Sequence, residues 1–178
     1  MVASRYVVTA AHCVQQINSS DIFVRVGEHD LHVVGETNVE RRVNVSAIIT
    51  HEDYDHYSYD NDIAVVYLSE HLDLSLYTPA CIAQASDSPA GHAATVYGWG
   101  TVEFGGDQAT ELRAVEVPVV THEECSAAMS RFSEITEAMI CAGATNVDAC
   151  HVSKIVKLRQ GSGKDRQGMA VKAKGLKA

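Results

Sequence analysis

The sequence predicts an all-β chain with short helices, and three observations lead to this fold class. Five short runs rich in β-branched residues are separated by Gly, Asn, Asp and Ser, which are typical of turns. The runs recur at similar spacing, as in β-barrels and β-sandwiches. Hydrophobic residues make up 46% of the 178 residues, which is enough for a folded core.

The predicted elements follow in chain order. The five strands share the β-branched pattern and are 21–27, 41–49, 61–68, 93–100 and 112–120. Segment 69–92 is polar, holds two of the three prolines and is predicted to be a connector. One helix is expected after Thr121, because Thr121 and Glu124 can form a capping box in which each side chain satisfies an orphan N–H group.

The charge distribution divides the chain at Cys150. Residues 1–150 hold six arginines, no lysine and 22 acidic residues, a net charge of −16, whereas residues 151–178 hold eight basic residues and one acidic residue, a net charge of +7. Such a shift indicates a boundary. The basic tail has no aromatic residues to stack on bases and no long apolar stripe, so we expect a disordered, solvated tail without a nucleic-acid partner.

The sequence shows neither a membrane-spanning segment nor a secretory signal. No run of 18 apolar residues occurs, so we expect no membrane-spanning segment. The first 13 residues, "MVASRYVVTAAHC", contain only a short apolar stretch that His12 interrupts, and we expect no secretory signal there.

A histidine and an aspartate stand out as candidate catalytic residues. His12 lies in "TAAHC", and Asp62 begins the apolar run "NDIAVV" fifty residues later. A buried Asp can accept an imidazole N–H and fix the tautomer, which leaves the other ring nitrogen free as a general base. Taken singly, each residue is more often structural: a lone His is usually part of the packing, and an Asp before a strand is usually a cap or turn.

Five motifs in a fixed order resemble the trypsin/chymotrypsin-like serine endopeptidases over residues 4–150. These motifs are "VVTAAHC", "NDIAVV", "YGWGT", "MICAG" and "DAC". The resemblance implies a double antiparallel β-barrel of the trypsin-like type, and here we expect it to be incomplete in both barrels and truncated at both ends. Residues 1–92 would form the first barrel remnant with the connector, 93–150 part of the second barrel, and 151–178 the tail.

The resemblance also implies roles for particular residues. His12 matches the general base, Asp62 its orienting carboxylate, and Asp148 the floor of the primary specificity pocket, where a carboxylate favours Lys or Arg in the substrate. Asp148 could instead be a turn residue. The implied activity is hydrolysis of protein or peptide bonds after Lys or Arg, without a cofactor, by a secreted enzyme.

The motif that should carry the nucleophile is missing after Cys150. The family continues with Gly-Asp-Ser-Gly-Gly after one residue, but here "HVSKIV" follows. Lys154 occupies the nucleophile position, and Val152 replaces the permissive glycine of the oxyanion loop. We therefore expect an inactive chain. A non-catalytic homologue acting as a binding module is the alternative, and a transcript artefact in which 152–178 is translated intron is a third reading.

Cysteines give a further expectation, since five is an odd number. The resemblance implies a disulfide between Cys125 and Cys141. It leaves Cys13, Cys81 and Cys150 as orphan thiols, because they match positions whose bridging partners we expect to be missing. The alternative is five reduced cysteines, as in a cytosolic chain.

Weaker candidates occur elsewhere. Ser162 in "QGSGK" has no preceding Asp, so we read it as chance. The loop 27–40 resembles a calcium loop, with Glu28 and Glu40 as possible ligands, but a solvated acidic loop is favoured and no metal site is predicted. His51 and His56 of segment 51–60 lie among acidic residues, but we do not assign them to a zinc site. Asn18 and Asn44 begin two glycosylation sequons, which are usable only in the secretory pathway.

Overall fold

The computed structural model describes residues 1–84, 90–101 and 106–143, together with the backbone of 155–158. The strands, in chain order, are β1 (Tyr6–Thr9), β2 (Phe23–Val26), β3 (Arg41–Thr50), β4 (Ala64–Leu68), β5 (Ala93–Gly98), β6 (Arg113–Pro118) and β7 (Ile155–Leu158). The α-helices are α1 (Ala11–Val14) and α2 (His122–Met129), and a 3-10 turn spans Ser19–Asp21.

These strands form two antiparallel sheets. The first sheet has the order β1-β4-β3-β2, and the second has the order β6-β5-β7. The predicted β fold with few short helices is confirmed. All five predicted strands are present, shortened by a few residues at most ends, while β1, β7 and α1 were not predicted.

Strand β7 lies inside the segment that was expected to be a disordered tail. Its backbone pairs with β5 from Ala94–Leu158 to Tyr97–Ile155. Because β6 covers only one edge of β5, the other edge offers unpaired N–H and C=O groups to any short β-prone run, and "IVKL" is such a run. The proposed boundary at residue 150 stays a prediction.

A β-bulge gives the first sheet its local bend. The register between β3 and β4 shifts between Val45 and Ala47, so that Ser46 stands out of the ladder. The Ser46 hydroxyl donates to the Tyr67 and Leu68 carbonyls, at 3.2 and 3.3 Å. The hydroxyl therefore supplies a hydrogen bond where the ladder is interrupted.

Alternating side chains of each sheet build separate small cores. In the first sheet Val43 and Leu68 pack with Leu72, which follows β4. In the second sheet the buried residues alternate along both strands and continue beyond them: Ala94, Val96, Val117, Val119 and Ala142. Complete burial of a Val or Leu side chain contributes about 1.5–3 kcal/mol, so each fully buried residue of these clusters stabilises its sheet by that order.

Helix α2 confirms the capping prediction. The Thr121 hydroxyl accepts from the Glu124 N–H, and the Glu124 carboxylate accepts from the Thr121 N–H. A disulfide joins Cys125 of this helix to Cys141, the pair that the family resemblance implies. Both cysteines are buried with Met129.

The loop 27–40 joins β2 to β3 within the first sheet, and it hydrogen-bonds to residues that flank β5 and β6 of the second sheet. Its His29 carbonyl accepts from the indole Nε1–H of Trp99 at 2.8 Å and from the Leu112 N–H at 2.8 Å. The Leu31 N–H donates to the Thr110 carbonyl at 2.9 Å. Within the described ranges, no helix has the length and apolar character needed to cross a membrane.

Candidate active site

Strand pairing brings His12 and Asp62 together across fifty residues of sequence. Strands β1 and β4 are antiparallel, and the last residue of β1, Thr9, pairs with the first residue of β4, Ala64. The chain that leaves β1 therefore starts from the same end of the sheet at which the chain enters β4. His12 lies three residues after Thr9, and Asp62 lies two residues before Ala64.

One apolar cluster holds both backbones in place. Ala11 and Val14 of α1 are buried against Ala64 of β4. Because positions 11 and 14 lie three residues apart on a helical turn, they share one face, and His12 projects elsewhere. The His12 side chain is 39% exposed, so its ring lies at the surface of the site.

Asp62 binds His12 with both carboxylate oxygens. Its Oδ1 accepts the backbone N–H of His12 at 2.9 Å, and its Oδ2 lies 2.7 Å from the ring Nδ1. The Asp62 side chain is only 3% exposed. An ionised carboxylate accepts hydrogen bonds and cannot donate, so the proton must be on Nδ1 and the second ring nitrogen of the neutral ring has a free lone pair.

The second ring nitrogen of His12 meets a thiol. Its Nε2 lies 3.3 Å from Sγ of Cys13. The ring of Tyr59 stands edge-on to the imidazole, with 5.8 Å between centroids. Tyr59 has a backbone φ of +61°, which is costly for a bulky residue and is typical of functional sites that hold a strained side chain in place.

Tyr54 is a further titratable residue close to the His12–Asp62 pair. It packs against the Ala11 cluster, and its hydroxyl is buried without an aligned hydrogen bond among the described residues. Burial raises the pKa of Tyr54, and the negative charge of Asp62 raises it further. The phenol therefore stays protonated, so it remains a possible donor beside the dyad.

The acidic loop differs from the solvated loop that was expected. Glu28 and Glu40 are 4% and 8% exposed, because both carboxylates turn inward to Arg25. Arg25 Nε lies 2.9 Å from Glu28, and an Arg25 terminal nitrogen lies 3.3 Å from Glu40. The Glu36 carboxylate accepts the His29 and Asp30 N–H groups. The expectation of solvated acids is thus wrong for Glu28 and Glu40, although much of the loop backbone remains exposed.

The histidines of the 51–60 loop have structural contacts. His51 Nδ1 accepts the Asp53 N–H at 3.2 Å, and the rings of His56 and Tyr57 lie 3.7 Å apart. Across residues 1–84, 90–101 and 106–143, no group of three or more His, Cys, Asp or Glu side chains is arranged to hold a metal ion. The sequon residues Asn18 and Asn44 are both exposed.

Several predicted site residues lie outside the described residues. These are the specificity residue Asp148, the half-cystine candidate Cys150, the Lys154 that occupies the nucleophile position, and Ser162. Their roles stay predictions. The structure therefore brings together His12 and Asp62 from the predicted set. Sequence reasoning missed the Cys13 contact and Tyr59, although the adjacency of Cys13 to His12 was a usable signal.

Comparison with known proteins decides the family. The family model for trypsin matches residues 1–151. This chain belongs to the trypsin family. Similar proteins include Trypsin beta of Drosophila erecta, which is 41% identical over 149 residues, covering 82% of this chain and 56% of that protein.

Two further trypsins match a similar share of this chain. Trypsin alpha-4 of Lucilia cuprina is 39% identical over 149 residues, covering 83% of this chain and 56% of the relative. Trypsin-2 of Salmo salar is 34% identical over 143 residues, covering 80% of this chain and 58% of the relative. The chain thus spans a little over half the length of the curated relatives that it matches.

Proposed function

We propose that His12 and Asp62 are the general base and orienting carboxylate of a trypsin-type serine endopeptidase site, and that this 178-residue chain does not itself hydrolyse peptide bonds. The observation that carries the first part is the 2.7 Å contact between Nδ1 and the buried Asp62 carboxylate. In this arrangement Asp62 selects the tautomer, and Nε2 can take a proton from a nucleophile. The family acts on protein substrates, and we expect a secreted protein.

The second part depends on the residues after Cys150. Acyl transfer in this family needs a serine hydroxyl, whereas Lys154 stands four positions after the cysteine. Val152 occupies the position of the oxyanion-loop glycine. Removal of one triad member leaves roughly 10³–10⁴-fold catalysis over water, but only with an intact oxyanion hole and binding site. Replacing the nucleophile and the loop together removes that residual rate as well.

Nuclear magnetic resonance tests the dyad without requiring activity. In ¹H–¹⁵N spectra of the folded chain, the His12 ring should carry its proton on Nδ1 and none on Nε2. Asp62→Asn can turn an amide N–H toward the ring, which favours the opposite tautomer. A His12 ring protonated on Nε2 in the unaltered chain would contradict the assignment, whatever the chain does to peptides.

Activity assays test the second part. The full chain should not cleave fluorogenic peptides containing Lys or Arg, and a serine-directed phosphonate probe should not label it. Ser162→Ala is the matched control, because Ser162 lies in the only Ser-Gly sequence after Cys150. Labelling that Ser162→Ala abolishes would overturn the claim of inactivity. Cleavage that His12→Ala abolishes would overturn it too, while supporting the role of the dyad.

A peptide-binding assay on the full chain tests the alternative that it is a non-catalytic binding module. If Asp148 forms the floor of a specificity pocket, a fluorescent Lys-containing peptide should bind without being cut, and Asp148→Asn should weaken that binding. Saturable binding that depends on Asp148 would favour a non-catalytic homologue. Absence of both binding and cleavage would leave the inactive-chain reading as the better one.

A further inference from the structure

A hydrogen bond joins the loop before Asp62 to the second half of the chain. The Thr136 hydroxyl donates to Oδ1 of Asp60, although the two residues lie 76 positions apart. Asp60 follows Tyr59 directly and precedes Asp62 by two residues. The Tyr59 ring stands edge-on to the His12 ring, and the Asp62 carboxylate binds that ring. Thr136 therefore reaches the site from a part of the chain that contributes neither member of the dyad.

Among the described residues, the other hydrogen bonds of Asp60 stay within its own loop, 51–63. Its carbonyl accepts the Asp55 N–H at 3.1 Å, and its N–H donates to the Ser58 hydroxyl at 3.2 Å. Its second carboxylate oxygen accepts from the side-chain amide of Asn61 at 3.3 Å. These contacts shape the loop internally, whereas the Thr136 hydroxyl ties the loop to the second half of the chain.

The backbone on both sides of Asp60 has an uncommon conformation. Tyr59 and Asn61 have φ values of +61° and +50°. Asn tolerates this region, but for Tyr it is costly, and such a conformation persists only where the surrounding contacts determine it. The Asn61 carbonyl accepts the Ile63 N–H at 2.7 Å, which places Asp62 at the apex of a three-residue turn. A side-chain contact at Asp60 thus acts on the turn that presents Asp62.

The backbone of Thr136 is itself held on both sides. Thr136 lies inside the loop that the disulfide of α2 closes. The preceding residue, Ile135, is buried in the cluster around that disulfide, and the Thr136 carbonyl accepts the Met139 N–H at 3.0 Å. An ionised carboxylate accepts hydrogen bonds and cannot donate, so the hydroxyl is the donor to Asp60. A packed, cross-linked segment therefore presents this donor to the loop.

We propose that Thr136 is a positioning residue for the His12–Asp62 pair and acts through Asp60. The observation that carries this is the hydrogen bond from the Thr136 hydroxyl to the Asp60 carboxylate, next to the turn that presents Asp62. The proposal rests on the dyad proposed above, and it adds the second half of the chain to the parts that set the His12 tautomer. Without the hydroxyl the turn can relax, and the Asp62 carboxylate then orients the ring less firmly.

The tautomer ratio of His12 tests this role without requiring activity. In ¹H–¹⁵N spectra of the full chain, it is the ratio of neutral ring protonated on Nδ1 to neutral ring protonated on Nε2. Thr136→Val removes the hydroxyl and keeps the branched shape, so it should lower this ratio about fivefold, the effect of one hydrogen bond of ordinary strength. Thr136→Ser keeps the hydroxyl and should keep the ratio of the unaltered chain.

A double-variant cycle and a control separate positioning from general loosening. Asp60→Ala should also lower the ratio, and adding Thr136→Val to it should have little further effect, because both changes remove the same hydrogen bond. Ser75→Ala removes another bond from a hydroxyl to a carboxylate, that of Asp73, and should leave the ratio unchanged. Trp99 emission checks that each variant is folded.

The outcomes distinguish this proposal from that of the dyad. A His12 ring protonated on Nε2 in the unaltered chain would contradict both. With Nδ1 protonated there, the positioning role is wrong if folded Thr136→Val keeps the ratio, if Thr136→Ser lowers it equally, or if the changes at Asp60 and Thr136 are additive. The dyad assignment stands in each of those three cases. If Thr136→Val does not fold, Thr136→Ala replaces it under the same criteria.

Discussion

Removing Arg25 should destabilise the fold far more than its surface position suggests. Arg25 is one-third exposed, but it is the counter-ion of Glu28 and Glu40, which are 4% and 8% exposed. Glu40 also accepts the Gly35 and Glu36 N–H groups. Neither Glu28 oxygen has an aligned hydrogen bond among the described residues, and the ion pair with Arg25 is its charge partner, so Arg25→Ala leaves a buried, uncompensated carboxylate.

The expected loss in the free energy of unfolding follows from leaving the buried Glu28 carboxylate without its charge partner. Breaking a buried ion pair by removing one partner costs about 3–5 kcal/mol, and partial exposure of Arg25 places this pair near the lower end, at about 3 kcal/mol. Arg41→Ala is the matched control. Arg41 pairs with Glu70 at 2.6 Å, but both side chains are more than two-fifths exposed, so its loss should cost less than about 1 kcal/mol.

Urea unfolding followed by Trp99 fluorescence measures both changes. Trp99 is the only tryptophan, and its indole donates to His29, the residue after Glu28. Adding Glu28→Gln to Arg25→Ala should recover a large part of the loss, because the buried charge is then absent. The reasoning is refuted if Arg25→Ala and Arg41→Ala unfold at the same urea concentration, or if Glu28→Gln gives no recovery.

Two other structural features yield stability predictions. Replacing both Cys125 and Cys141 by Ala should lower the free energy of unfolding by about 3 kcal/mol, since the bridged cysteines are 16 residues apart, whereas the exposed Cys81→Ala should change it little. Gly27→Ala should cost about 1–3 kcal/mol, because φ is +72° and an added Cβ would lie 2.7 Å from a backbone carbonyl oxygen. Gly35→Ala is its control, with φ +74° but open space, and should cost only the backbone part. Equal unfolding midpoints for Cys81→Ala and the double cysteine variant, or for the two glycine variants, would contradict these expectations.

Local patterns predicted the strands but not the strand partners. The β-branched runs and the Thr121 capping box are local features, and they appear where the sequence predicts them. Strand β1 and helix α1 have four residues each, too short for a periodic pattern to be distinguished from a loop. Their positions depend on pairing with β4, which lies more than fifty residues away.

The pairing of His12 with Asp62 was predictable only from the family resemblance, because local sequence patterns do not relate residues fifty positions apart. Family resemblance joined His12 to Asp62, and the register of β1 and β4 explains why they meet. The inward turn of Glu28 was not predictable from an acidic loop, because it depends on Arg25 in the preceding strand. Composition alone favours solvation for such a loop, but a buried carboxylate is tolerated when a guanidinium accompanies it.

The break after His151 leads to a prediction about the gene. The family model stops matching at residue 151, and the first lysine of the chain is Lys154. The residues Val152, Ser153 and Lys154 can be encoded by GTA-AGT-AAG, which contains the common splice-donor sequence GTAAGT. We therefore expect 152–178 to be translated intron, which would account for the change from a net charge of −16 in residues 1–150 to +7 in residues 151–178.

The genomic locus decides between a retained intron and a frameshift. A retained intron predicts a splice acceptor downstream of codon 178. The exon that follows it would encode Gly-Asp-Ser-Gly-Gly in the same reading frame as codon 151. A frameshift predicts the same codons directly after codon 151 in another frame, and it gives no reason for the break to begin at a possible donor site. Sequencing the locus and its transcripts separates the two, and the second arrangement would eliminate the intron explanation. Under the first arrangement, a spliced transcript would place a serine opposite Nε2 of His12, because the dyad geometry is complete before the break.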